Sequence, residues 1–488
     1  MSHPLFRTKS IEQILSDCDH PEHRLRKTLT AWDLTMLGIG AIIGTGIFVL
    51  IGTAIVGDAH RPGAGPGIIL SFVLSGITCA LAALCYAEFA SMIPAAGSAY
   101  TYSYATLGEL LAWLTGWNLI LEYGVACVAV AIGWSGYFNN VLKLMGLSLP
   151  AWATHPPGGP EGGIANLPAA IIVLLVTVVL VIGVKESART TGLIVCVKLA
   201  VILFFIAVGS SSVDPANWSP FMPFGFAGVG AAAAIVFFAY IGFDAVSTTA
   251  EESRNPQRDL PIGIIASLSI CTVLYITVAA VLTGIVPYRK VDIHAPVAEA
   301  LSIAGFKWGA ALVAVGAVAG ITSVLVVMML GQIRVFFAMS RDRLLGSWLS
   351  AVHPRFGTPH RATILTGVAV ATMAAFVPIG EAADMTNIGT LFAFALVCGG
   401  LIVLRRTRPD QPRPFRTPLM PWTPLLAMAA CLGLMAYLPL LTWIRFAVWT
   451  VVGIAIYFVY SMKHSRLAVT TAPQPVSAAV GDHPSPSL

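Results

Sequence analysis

Charge is what this sequence has least of. Only 10% of its 488 residues are Asp, Glu, Lys or Arg, against roughly 25% in a soluble globular chain. So small a share excludes an ordinary soluble enzyme. No GxxxxGK[ST] run is present, which argues against nucleotide-driven pumping. There is no HExxH, no CxxC and no His/Cys cluster, so neither a metal centre, a cofactor nor a membrane hydrolase is expected. Eight cysteines occur. Cys79, Cys85, Cys127, Cys196, Cys271, Cys398 and Cys431 fall in apolar stretches and read as small packing residues, not disulfide partners. No repeated filter motif suggests a channel, and no large soluble domain suggests a sensor. The first apolar run is too long and too far in for a cleavable signal peptide. A net charge of +5 is no nucleic-acid signal either; its distribution says more.

What is present is hydrophobic length. Residues 34–57, 62–87, 166–184, 260–288, 308–333, 362–380 and 385–404 carry no charged side chain, and about 20 helical residues cross a hydrocarbon core. The runs lack strict alternation, so they read as helices and not as barrel strands. Window length gives twelve spans, at 31–54, 66–93, 107–141, 166–184, 190–212, 226–249, 260–286, 308–340, 362–379, 385–405, 421–438 and 440–461. Most of the 28 Lys and Arg fall in the N-terminus and in alternate loops. By the positive-inside rule the chain is expected in the cell membrane, multi-pass, with both termini cytoplasmic. Residues 1–30, with Ile11, Ile14, Leu15 and Leu25, read as a polar segment with a short amphipathic helix on the inner surface. Residues 462–488 read as a disordered tail.

Two spans look interrupted. The first holds Gly38-Ile-Gly-Ala-Ile-Ile-Gly44-Thr-Gly46-Ile-Phe48, and the sixth holds Phe237-Phe-Ala-Tyr-Ile-Gly242-Phe-Asp244. Glycine lowers the cost of leaving the helix. Unwound backbone at membrane depth survives only where it lines a cavity or is buried in protein. Either run alone is equally well read as small-residue helix packing. At matching positions of two five-helix halves, the pair marks a midplane binding site.

These stretches also carry a family resemblance. With Tyr86-Ala-Glu-Phe-Ala-Ser-Met-Ile-Pro-Ala-Ala-Gly-Ser-Ala-Tyr100, Glu251-Glu-Ser-Arg-Asn-Pro256, Arg334, Ala338-Met-Ser-Arg-Asp342 and Asn387-Ile-Gly-Thr-Leu391, the chain resembles the amino acid–polyamine–organocation superfamily. Within it, it is most similar to bacterial members of the cationic amino acid transporter family. The resemblance implies an all-α integral membrane protein with a 5+5 inverted-repeat core at 31–405 and two peripheral helices at 406–461.

An amino acid presents a carboxylate and an ammonium. The half-helix after the first break offers free N–H groups and a positive dipole end, so Gly44, Thr45 and Gly46 are assigned to the carboxylate. By resemblance, the carbonyls of Ile42, Phe238 and Ile241 receive the ammonium, and Phe238 also lids the substrate. Met328 either floors the side-chain pocket or packs between helices. Asp244 either caps the second half of the sixth helix, with Ser247 and Thr248 behind it, or pairs with substrate or a proton. Glu122, a carboxylate at membrane depth, needs a partner or a proton; its bland role is a hydrogen bond to an unwound segment. Glu88 reads as a structural or gating contact. Lys198 either snorkels to the inner surface or, as the resemblance implies, occupies a cation position between helices one and eight. Thr322 and Ser323 would supply oxygens there. Lysine suits such a role because its proton affinity responds strongly to its surroundings.

The reading is therefore not an enzyme but a secondary transporter importing amino acids by alternating access, with protons as the coupling partner. An exchanger is the alternative within the fold, and a non-transporting membrane sensor the alternative outside it. The partners expected are the amino acid, protons and the bilayer; whether a small membrane-protein subunit joins is open.

Overall fold

The structure is a computed structural model, and it describes residues 5, 7–18, 27–58, 60–95, 97–158, 162–183 and 188–467. A short helix α1 (Ile11–Cys18) precedes the first long one. Thr30 starts the latter. Its hydroxyl accepts from the Asp33 N–H, and the Asp33 carboxylate accepts from the Thr30 N–H at 2.9 Å, a reciprocal cap. Helix α2 (Ala31–Ile42) stops in the glycine-rich run at Ile43, where the backbone is extended (φ −74°, ψ 103°). The chain resumes as α3 (Gly46–Val56) after a bend of 40°.

The order continues with α4 (Ile68–Met92), α5 (Ser98–Thr106), α6 (Glu109–Leu144), α7 (Leu167–Ile182), α8 (Ala188–Gly209) and α9 (Gly225–Val236). A 3-10 turn (Phe237–Tyr240) leads to α10 (Ala245–Thr248), α11 (Pro256–Ile285), α12 (Pro296–Ile303), α13 (Lys307–Arg341), α14 (His360–Phe376), α15 (Ile379–Thr407), α16 (Trp422–Met435) and α17 (Leu440–Ile456). The fold is an all-α membrane transporter fold. Among the described residues eight helices are long and apolar enough to cross a membrane, or nine with the bent pair counted as one. Each expected span falls on a helix. However, α7, α14 and α16, at 16, 17 and 14 residues, are shorter than the roughly 20 of a full crossing, so a count of twelve stays an expectation.

Helix α6 runs through the middle, packed on α13 and α15; α11 packs on α4 and α2, and α8 on α13 and α2. Helices α16 and α17 lie to one side, against α15, α4 and α6. Two short helices, α5 and α12, occupy loops that hydropathy left blank. They follow α4 and α11, the second helix of each expected five-helix half.

The N-terminal segment departs from expectation. Ile11 and Ile14 of α1 are buried against the protein, so that face packs on the bundle and is not free to lie on lipid. Lys9 fixes it, donating to the Asp342 carboxylate at 3.1 Å, with Tyr100 donating to the same group at 2.7 Å. Leu25 and residues 468–488 of the expected tail lie outside the described residues, while 462–464 are helical.

Glu88 turns out to be a structural anchor. Its fully buried carboxylate accepts from Arg405 at 2.8 and 2.6 Å and from the Thr417 N–H at 2.7 Å, and Arg413 lies 3.4 Å away. This pins the segment after α15 to α4. Removing one partner of a buried pair costs about 3–5 kcal/mol. Glu88→Gln is therefore expected to lower the melting temperature in detergent markedly. A melting temperature equal to wild type would remove Glu88 from this role.

Candidate functional site

The two interrupted spans meet at their breaks. A Cβ on Gly46 would lie 2.2 Å from the Ala239 Cα and 2.8 Å from its backbone nitrogen, so α3 touches the 3-10 turn backbone to backbone. The turn ends at Ile241, which is extended (φ −60°, ψ 134°), and Gly242 follows with φ +119°. That left-handed geometry is open to glycine at little cost. A Cβ there would also press on the Ala41 carbonyl carbon at 2.9 Å. The break in each span is thus shaped by the break in the other.

Between them lies a small cavity. Ile42, Gly44, Thr45, Gly46, Phe238, Ile241 and Met328 all line it, so the residues proposed from the sequence for substrate binding come together. Ala41, together with Ala126, Val130 and Val324, which no local pattern singles out, completes the wall. The volume is ≈ 10 Å³, about the room of one water; an amino acid enters only if the walls part. The first N–H groups of a half-helix have no intrahelical acceptor, which leaves those of Gly44, Thr45 and Gly46 suited to an anion. Of the three carbonyls assigned to an ammonium, two are already engaged. Ile42 O accepts from the Tyr275 hydroxyl at 2.9 Å, and Phe238 O accepts from the Ile241 N–H at 3.3 Å. Each keeps one lone pair.

Tyr275 is a residue that the sequence reading missed. Its hydroxyl lies 2.9 Å from Ile42 O and 3.0 Å from Ala239 O, so it ties the end of α2 to the 3-10 turn. Lys198 sits one layer away. It is buried and donates to Gly40 O at 2.7 Å and Ile43 O at 3.1 Å, carbonyls left free where α2 ends. It does not snorkel. The expected oxygens from Thr322 and Ser323 do not reach it. Thr322 accepts from the Trp134 indole at 2.9 Å and donates to Val318 O, and Ser323 donates to Gly320 O. Helix α13 contributes space instead: a Cβ on Gly320 would meet the lysine stem at 3.1 Å.

Asp244 does not cap. Its own backbone is helical and its side chain makes no cap bond. It accepts from the Tyr123 hydroxyl at 2.9 Å and the Gly242 N–H at 3.2 Å, while Ser247 and Thr248 donate back to Asp244 O and Ala245 O. Glu122 is fully buried and neither oxygen has a hydrogen-bond partner among the described residues; the Thr390 hydroxyl donates to Thr386 O. The expected bond to an unwound segment is therefore not made. Neither acid lines the cavity.

Ion pairs latch both ends of the bundle. At the arginine-rich end, Arg334 meets Glu252 and Thr248 at 3.3 Å each. At the opposite end, Arg61 donates to Asp384 at 2.9 Å and to Asp58 at 2.8 Å. Burial works to raise the Asp58 carboxyl, but Arg61 and the N–H groups of His60 and Arg61 outweigh it and hold the acid below its ordinary range.

Residues 29–470 match the amino acid permease family. A methylthioribose transporter of Bacillus subtilis (strain 168) is 50% identical over 463 residues, 95% of this chain and 99% of that protein. The branched-chain amino acid permease BcaP of the same organism is also 50% identical, over 470 residues, 96% of this chain and all of that protein. The vacuolar cationic amino acid transporter 4 of Arabidopsis thaliana is 37% identical over 414 residues, 83% of this chain and 68% of that protein.

Proposed function

We propose that this chain, which belongs to the amino acid permease family, imports small neutral amino acids by proton symport through alternating access. The observation that carries the coupling is the ammonium of Lys198 on the freed carbonyls Gly40 O and Ile43 O. The C-terminal end of a helix is its negative pole. A charged Lys198 fastens that pole of α2 to α8, and loss of the proton weakens the fastening. Tyr275 links the next carbonyl, Ile42 O, to the turn beside the cavity, so substrate and proton bear on one joint. Gly44, Thr45 and Gly46 would hold the carboxylate, and Ile241 O with the open lone pairs of Ile42 and Phe238 the ammonium. Phe238 and Met328 would close on the side chain. Glu122 and Asp244, buried near the same joint, are the next candidates for proton movement.

The test is uptake into vesicles of purified protein under an imposed pH gradient, with and without amino acid inside. Symport requires accumulation into empty vesicles when the outside is acid, with no effect of sodium. Uptake only into preloaded vesicles would instead make the protein an exchanger.

Specificity follows from the wall. Apart from Thr45, its side chains are apolar. A lysine or arginine side chain there would bury a charge without a partner, which costs several kcal/mol. A branched-chain permease among the relatives supports the same choice. Competition assays are expected to rank leucine, valine or alanine at least about a hundredfold above arginine, each tenfold corresponding to 1.4 kcal/mol. Arginine as the tightest competitor would overturn the assignment. Methylthioribose belongs in the same assay, because a relative of equal identity is named for it; its thioether also suits an apolar wall, but it has no carboxylate for the α3 N–H groups.

A further inference from the structure

A second site lies on the outside of the bundle, away from the transport cavity. Helices α4 and α11 touch closely at Gly76, where a Cβ would meet Thr272 at 3.0 Å, yet leave a cleft of ≈ 390 Å³ between them beside Ala80 and Ala83 of α4, which are too small to fill it. The facing wall is Ile265, Leu268 and Ile276 of α11. Its hydroxyls are turned inward to their own helix: Ser269 donates to Ile265 O and Thr272 to Leu268 O. An occupant would therefore meet hydrocarbon.

The cleft does not end blindly. Ile265 also lines a second cavity of ≈ 580 Å³, at the arginine-rich end, walled by Arg258, Pro261, Pro414 and Phe415. That wall is built into the fold. The Phe415 N–H bonds to Ser91, and Thr417 donates to Leu84 O beside the first cleft. From Pro261 to Ile276 the helix rises about 22 Å at 1.5 Å per residue, longer than the ~15 Å of hydrocarbon in one leaflet. At the open end stands Arg258, exposed and with no hydrogen bond or ion pair to its side chain among the described residues. Apolar depth of one leaflet, ending at an unneutralised guanidinium at interface height, is the shape and charge of an anionic phospholipid.

The geometry points to a bound anionic phospholipid, one acyl chain in the α4–α11 cleft and its phosphate on Arg258. The chain holds α11 and the Pro414–Thr417 segment together, and α11 carries Tyr275, so the lipid braces the helix that joins the two broken spans. The proposal does not depend on which solute is transported.

The experiment uses the full chain, delipidated in detergent, with phosphatidylglycerol, phosphatidylcholine or glycerol phosphate added. Retained lipid is counted by native mass spectrometry and the melting temperature is read in parallel. Phosphatidylglycerol is expected to be retained in preference to phosphatidylcholine and to raise the melting temperature. Arg258→Gln should lower its occupancy roughly fivefold, the scale of one basic side chain at an anionic surface, and leave phosphatidylcholine retention unchanged. Ala80→Phe, at an exposed position on the cleft floor, fills the cleft without entering the core and should remove retention of both. Its unshifted gel-filtration peak would show that it still folds. Equal retention of the two lipids by the wild type overturns the proposal. So does phosphatidylglycerol binding untouched by both variants, or a melting shift produced by glycerol phosphate alone.

Discussion

Lys198→Ala is expected to make uptake insensitive to outside pH while substrate binding at equilibrium persists within about tenfold, or 1.4 kcal/mol. The wild type should take up substrate faster as the outside becomes more acid. The sign follows from linkage. If substrate prefers the arrangement in which a charged Lys198 fastens α2, substrate must promote proton binding, and protons must promote substrate binding to the same extent. Alanine removes the titrating group and leaves Gly40 O and Ile43 O without their donor. An unpaired buried polar group costs about 1–3 kcal/mol, so the variant will also melt earlier. Lys198→Gln separates the two effects. Its amide keeps N–H donors for the carbonyls but carries no exchangeable charge, so stability should recover and pH sensitivity should not. Acid stimulation surviving in Lys198→Gln would place the coupling elsewhere, with Glu122 and Asp244 the groups to replace next.

The sequence made the broken spans legible because glycine density is a local signal: Gly38, Gly40, Gly44 and Gly46 crowd one turn after another, and Gly242 marks the second break. Lys198 was legible for a similar reason, as a lone charge in an apolar run. Its acceptors were not. Gly40 and Ile43 lie more than 150 positions away, and they become acceptors only because α2 stops there. Thr322 and Ser323 looked like ligands by residue type, yet hydroxyls on a helix readily bond back to their own turn, and both do. Tyr275 and Tyr123 were invisible, since a tyrosine in an apolar span looks like packing until the carbonyl or carboxylate opposite it is known. Helices α5 and α12 were missed because, at nine and eight residues, they are shorter than any window that detects a span. The Arg61–Asp384 latch joins positions 323 apart, and no local pattern announces it.

Gly46→Ala is expected to lose transport almost completely, whereas Gly44→Ala should keep a measurable part of it. Both glycines line the cavity, and the sequence treats them alike. The surroundings differ. A Cβ on Gly44 would meet the Val324 Cγ2 at 2.9 Å, the end of a side chain that can shift by a few tenths of an ångström. A Cβ on Gly46 would meet the Ala239 Cα at 2.2 Å and Cβ at 2.4 Å. The Cα cannot move without pushing the 3-10 turn away from α3, and with it Phe238 and the Tyr275 bond to Ala239 O. One excess methyl in a packed site costs about 1–3 kcal/mol; against backbone the upper end applies, which is roughly a hundredfold in affinity. Gly44→Ala should fall within about tenfold of wild type on the same scale. Gly44→Val and Gly46→Val are both expected to be inactive, the larger side chain filling the cavity from either position. The measurement is uptake together with substrate affinity, on variants shown to reach the membrane in equal amount. A double variant probes the cause. Ala239→Gly removes the Cβ but leaves the nearer Cα in place, so Gly46→Ala with Ala239→Gly should stay inactive. Restored uptake in that pair would show that a side-chain methyl, and not the backbone approach of the two breaks, sets the demand for glycine at position 46.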